Sequence, residues 1–175
     1  MKVVVDEYEF DFPDAISLYR FDEKDNQSPY YHGVNTMKAV DVMAEFAKYY
    51  VWIEIKCYTE EKIEMLKREG DQRKPDDDYH TKSWLRNNLA RKYRDTFIYR
   101  YAEKKIDKPI KYICLLNFDN ALKSYFRHEL KEYIPVGTPS KRWKREIIDG
   151  LIVVDEEAWN RNAALLALGT CHKVK

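Results

Sequence analysis

A chain of 175 residues is long enough to bury one sizeable core and suits a single domain spanning 1–175 rather than two. Its 31 basic and 30 acidic residues leave a formal net charge of +1, so bulk charge argues neither for nor against a nucleic-acid partner and only local patches can speak to one. No segment approaches the length needed to cross a membrane, and the apolar run in the opening MKVVVDEYEF is too short for a signal peptide. Cys57, Cys114 and Cys171 are scattered and lack metal-type spacing, which suggests reduced thiols. The expectation is a soluble cytoplasmic protein without a membrane partner.

In chain order, Lys2 to Phe12 alternates loosely, as a short strand or an irregular arm would. Pro13 can open a helical turn, and Ala15, Ile16, Leu18, Tyr19 and Phe21 supply apolar contacts for a short helix over Asp14 to Phe21. Asp22 to Thr36 is polar and turn-rich and reads as a loop. After Tyr58, Thr59 is placed to cap a helix with Glu60 and Glu61 in its first turn and Ile63, Met65 and Leu66 inward. Gly70 to His80 has no apolar periodicity; its Asp76-Asp77-Asp78 run has the composition of a solvated loop more than of a cation site. Thr81 to Lys105 is helical in pattern, with Trp84, Leu85, Leu89, Tyr93, Phe97 and Tyr101 at spacings of three and four. Ile110 to Phe118 is a nearly continuous apolar strand of the kind covered on both faces. Asp119 can cap a helix over Asn120 to Tyr133, and Leu151 to Val154 forms a last short buried strand. The ending from Asn162 shows no clear element.

The stretch from Lys38 to Tyr58 is the most informative. At period two it divides into the arms of a hairpin meeting at Ala47 and Lys48. One face carries Val40, Val42, Ala44, Phe46, Val51, Ile53, Ile55 and Cys57. The other carries Ala39, Asp41, Met43, Glu45, Tyr50, Trp52, Glu54, Lys56 and Tyr58. A turn symmetric about Ala47 and Lys48 sets Asp41 across from Glu54 and Ala39 across from Lys56, so two carboxylates stand about 5 Å apart beside one lysine. Such carboxylates repel unless one is protonated or a cation bridges them. Hard oxygen donors suit Mg²⁺ or Mn²⁺, and the carbonyl of Ile55 is an additional candidate ligand. Lys56, two residues from Glu54 on the same face, can hold and polarise a water there.

Asp41, followed thirteen residues later by Glu54-Ile55-Lys56 at the end of an apolar strand, resembles the signature of the PD-(D/E)XK nuclease superfamily. The resemblance implies an α/β fold with a restriction-endonuclease-like αβββαβ core, a mixed sheet flanked by helices. It implies hydrolysis of phosphodiesters in nucleic acid at a one- or two-metal site, with Mg²⁺ or Mn²⁺ as cofactor and DNA ahead of RNA as substrate. Asp41 and Glu54 would be the metal ligands and Lys56 the catalytic lysine. Members often place an acid on the first helix, here Asp22 or Glu23, and a polar or basic residue on the helix after the hairpin. For the latter, Arg91, Lys92 and Asp95 are candidates, with Lys92 the first choice. The first acid of the family motif usually follows a proline or an apolar residue, and here Val40 precedes Asp41. The chain as a whole resembles the small stand-alone bacterial members, for which a homodimer is left open.

Blander accounts stand beside each of these. Asp41, Glu54 and Lys56 can be a solvent-facing sheet surface, although Met43 and Trp52 on the same face argue for a cover. A nuclease-like fold can also persist without catalysis, as a binding or partner module in a defence or toxin system. The basic residues Lys82, Arg86, Arg91, Lys92, Arg94, Arg100, Lys104 and Lys105 can be a solvated helix face or a phosphate-contacting one. Lys141, Arg142, Lys144 and Arg145 around Trp143 invite a stacking role or a simple loop anchor. His32, His80, His128 and His172 read as structural or exposed, and Trp159 as core.

Overall fold

The computed structural model describes residues 1–68 and 81–174. The expected Gly70 to His80 loop, with Asp76, Asp77 and Asp78, lies outside the described residues. The central layer is a mixed five-stranded sheet built from β3 (Ser17–Arg20), β4 (Val42–Glu45), β5 (Tyr50–Lys56), β6 (Ile110–Leu116) and β7 (Gly150–Val154), in that spatial order. β3, β4 and β5 run antiparallel in sequence, and β6 and β7 then add in parallel. A second, three-stranded antiparallel sheet places β2 (Tyr8–Asp11) between β1 (Lys2–Val5) and β8 (Thr170–Lys173). The molecule is thus α/β around a mixed sheet, as expected.

Both faces of the central sheet are buried, each by a different cover. On one face α1 (Glu60–Lys67), α2 (Lys82–Ala102) and α3 (Asn120–Tyr133) pack on Met43, Trp52, Tyr112 and Leu116. On the other, Val42, Ala44, Val51, Ile53 and Ile113 meet the small sheet together with Trp159 and Leu165 from α4 (Glu156–Arg161) and α5 (Ala163–Leu166). The helix starts follow the cap residues: the side chains of Thr59, Thr81, Asp119 and Asp155 each accept a backbone N–H of the first turn. β6 is buried at every residue except Lys111, which explains its nearly unbroken apolar sequence.

The sequence pattern misleads in two places. The helix expected over Asp14 to Phe21 is instead the edge strand β3. Leu18 faces the Trp159 side and Phe21 the α2 side, and the backbone N–H groups of Ile16 and Phe21 donate to the carbonyls of Glu45 and Asp41. Leu18, Tyr19 and Phe21 satisfy a helical spacing and a strand alternation equally well, and pairing to β4 decides between them. The ending from Asn162, which carries no readable element, folds into α5 and β8 and packs with α4 just before it. The Trp159 ring of α4 lies 5.9 Å from Phe10 and 6.0 Å from Phe12, and the Trp159 indole N–H donates to the Gly169 carbonyl at 3.0 Å.

Gly169 brings the chain back to the small sheet with φ +140°, and a Cβ there would sit 2.0 Å from the Asp11 carbonyl oxygen. Gly169→Ala is therefore expected to lower the unfolding free energy by about 3 kcal/mol, read from urea denaturation. A variant as stable as the parent would mean that the β2 to β8 junction yields freely.

Candidate functional site

The hairpin pairs as the sequence predicts, from Val42 against Ile53 to Glu45 against Tyr50, with Ala47 and Lys48 at the turn. The ladder then stops one residue short of Asp41. The Asp41 N–H donates to the Ile53 carbonyl at 3.0 Å, and the Asp41 carboxylate Oδ2 accepts the Ile55 N–H at 2.7 Å. A short acidic side chain has taken the place of a backbone carbonyl as partner. The expected cross-strand pairs Asp41 with Glu54 and Ala39 with Lys56 are therefore not part of the ladder. The two carboxylates nevertheless converge.

The point on which they converge is Lys92. This residue lies on the buried side of α2, and its Nζ is 3.2 Å from Asp41 Oδ1, 3.2 Å from Glu54 Oε2 and 3.4 Å from Asp22 Oδ2. Glu54 is wholly inaccessible, while Asp41 and Lys92 retain only 8% and 7% of their surface. A solvent-facing sheet is excluded for these residues, because α2 covers them. Lys56, at the rim, donates from Nζ to Glu54 Oε1 at 2.6 Å and to the Ile55 carbonyl at 3.1 Å. Asp22 follows β3 directly rather than standing on a helix, and remains partly exposed.

α2 also fixes the segment leading into the site, through residues that sequence reasoning did not single out for this task. Thr96, one turn after Lys92, accepts the Val40 N–H at 3.0 Å, and Asp95 accepts the Lys38 N–H at 2.8 Å. Asp95, one of the helix candidates, is thus a backbone anchor. Arg91 points away from the cluster, pairing with Asp95 at 3.2 Å and lying mostly in solvent. Glu23, the alternative to Asp22, accepts the N–H groups of Lys24 and Asp25 in its own turn. His32, expected to be structural, stacks on Phe21 and places Nε2 4.0 Å from Asp22 Oδ1.

Electrostatically, the site is a buried mixed-charge cluster. Burial pushes the Glu54 carboxyl up to about 8, and the Asp41 charge adds to this against the opposing pull of Lys92 and Lys56. For Lys92 burial favours the neutral amine, but Glu54, Asp41 and Asp22 outweigh it and hold its pKa above the ordinary lysine value.

Among the described residues, no group of three or more His, Cys, Asp or Glu side chains is placed to hold a metal ion by itself. The smaller donor set of Asp41, Glu54 and the Ile55 carbonyl is all oxygen, which suits a hard divalent cation completed by water. Glu54 Oε2 is buried without a hydrogen-bond partner among the described residues, so its lone pairs face only the Lys92 ammonium. These residues fit such an ion.

The basic residues of the helix are largely engaged in the fold. Arg86 pairs with Glu129 at 2.9 Å, Arg94 donates to the Tyr133 carbonyl, and buried Arg100 pairs with Glu103 at 2.6 Å. In the later cluster, Arg145 donates to the Ile106 carbonyl and Trp143 is half-buried. Trp159 is core, and among the described residues the cysteines are all free thiols. No helix is long and apolar enough to cross a membrane among the described residues. Comparison with family models, with curated proteins and with solved structures returned no match.

Two outcomes test the electrostatic account. Lys92→Met strands three carboxylates around an uncharged side chain and is expected to lower the unfolding free energy by about 3 kcal/mol in denaturant titrations at pH 7. A neutral effect would show the cluster to be solvated. The second concerns pH. Glu54 has a folded pKa of about 8 against an ordinary 4.5, so the folded state binds the extra proton between those values. Its contribution is present below the lower value and is lost as pH rises through the upper one, so stability falls across that window. Glu54→Gln is expected to flatten this fall, and an unchanged slope would assign it to another group.

Proposed function

We infer that the chain is a metal-dependent nuclease, hydrolysing phosphodiester bonds of nucleic acid at the Asp41, Glu54 and Lys56 cluster. The observation that carries this reading is the complete burial of Glu54 beside Asp41 at the end of β5, with Lys56 bonded to it at the rim. Buried acids without a matching set of cations are costly, and structural need alone gives no reason to gather three around one lysine. The order of the central sheet supports the same reading. Three antiparallel strands, a covering helix and a parallel strand follow one another, as in the strand and helix sequence of a restriction-endonuclease-like core. The leading helix of that core has no counterpart, since β3 begins the layer.

In this reading Asp41, Glu54 and the Ile55 carbonyl hold Mg²⁺ or Mn²⁺, with Asp22 beside them. The ion supplies Lewis acidity toward the phosphoryl oxygen and lowers the pKa of water. Lys56 orients the attacking water from its rim position and offsets negative charge growing on the phosphate. The water oxygen bonds to phosphorus, the phosphorus–oxygen ester bond breaks, and the departing oxygen takes up a proton. Lys92 supplies a further positive charge from the covered side once the ion has taken over its contact with Glu54.

One observation favours the inactive alternative, a nuclease-like binding or partner module. The Lys92 ammonium already pairs with Asp22, Asp41 and Glu54 together, so it fills the space between the acids without a divalent ion. Cleavage assays separate the two. Incubation with DNA and RNA substrates is expected to give Mg²⁺- or Mn²⁺-dependent products that Glu54→Ala and Lys56→Ala both abolish. Calorimetry is expected to give Mn²⁺ binding that Asp41→Ala removes. Absence of turnover with either ion, together with Mn²⁺ binding that is absent or indifferent to Asp41, would establish the module instead.

A further inference from the structure

Beside the candidate centre, a cleft of about 340 Å³ opens between β3, the loop 28–32 and the last turns of α2. Its wall is aromatic. Tyr30 lies over Tyr19 with ring centroids 4.5 Å apart and planes 16° from parallel, and Tyr30 is 52% exposed, so it reaches solvent while backed by a second ring. Phe21 and Tyr99 continue the wall at 5.5 Å edge to face, and Phe21 stacks on His32, the residue beside Asp22. Stacked rings therefore lead from the open cleft to the acid nearest the candidate centre.

The charges of the cleft are sorted to match. Its two acids are neutralised, Glu45 by Lys108 and Glu103 by Arg100. Arg100 is buried to 3% exposure with an Nε that has no hydrogen-bond partner among the described residues. Lys105, on the rim, has no carboxylate within ion-pair distance among the described residues. Ring faces with residual positive charge suit a base attached to a phosphate backbone. A duplex hides the faces of its bases, so only an unpaired strand can use such a shelf.

We propose that this cleft binds a base of an unpaired nucleic-acid strand, stacked on Tyr30. The proposal rests on the nuclease reading for what lies at the neighbouring centre and narrows its substrate to single-stranded or locally unpaired nucleic acid. The test uses fluorescence anisotropy in the presence of a chelator, so that binding is measured without turnover. The probes are a labelled twelve-nucleotide deoxyadenosine strand and the same strand annealed to its complement. The single strand is expected to bind more tightly than the duplex. Tyr30→Ala is expected to weaken the single strand about tenfold while leaving the duplex unchanged, and Tyr30→Phe to retain parental affinity. Thermal unfolding of Tyr30→Ala is expected to match the parent, since the ring is half-exposed on a loop. Equal affinity for strand and duplex, or single-strand binding indifferent to Tyr30→Ala, overturns the proposal. A protein that passes this test yet cleaves nothing with Mn²⁺ overturns the nuclease reading alone.

Discussion

A carboxylate with no access to water has to be answered by charge or by a proton, and Glu54 is such a carboxylate. It stands on the middle strand of the central sheet, under α2, with Asp41 as a neighbour that makes its ionisation harder. Everything around it is arranged in reply. Lys92 comes down from the helix, Lys56 reaches back along its own strand, and Asp22 closes the third side of the Lys92 ammonium. The arrangement balances charge without relaxing it, because Glu54 Oε2 is left with an ion pair but no hydrogen bond.

The fold supports this cluster from two directions. Parallel addition of β6 and β7 keeps β5 in the interior, with Glu54 and Lys56 still paired to Cys114 and Leu116 of β6 where the ladder to β4 has already ended. The small β1-β2-β8 sheet and Trp159 seal the opposite face, so the backbone beneath the site rests on packed rings. Along α2, Lys92, Asp95 and Thr96 grip Asp41, Lys38 and Val40 in turn. The helix therefore fixes both the charge and the chain that carries its partner.

Much of the site was legible in the sequence because strands alternate strictly. The two-residue turn at Ala47 and Lys48 followed from the apolar pattern, and it set Asp41 and Glu54 within reach of each other. Lys92 was the first choice among three helix candidates on the strength of the resemblance, since an isolated helix pattern does not reveal which basic residue is turned inward. What the pattern missed has local causes. The departure of Asp41 from the ladder depends on a side chain competing with the backbone, which period-two arithmetic does not contain. β3 was mistaken for a helix because Leu18, Tyr19 and Phe21 fit both periods, and only the partner strand settles them. The ending gave no signal because its elements are short, and β8 depends on distant β2 for its strand pairing. The role of His32 next to Asp22 comes from a loop, where sequence has no period to read.

We propose that Lys92 holds the position that a divalent cation would take between Asp41 and Glu54. Anomalous diffraction from crystals soaked in Mn²⁺ addresses it directly. The account predicts a manganese peak bounded by the Asp41 and Glu54 carboxylates, with the Lys92 ammonium displaced from its contact with Glu54. Crystals saturated with Mn²⁺ that show no peak there, with Lys92 still paired to both acids, would contradict it.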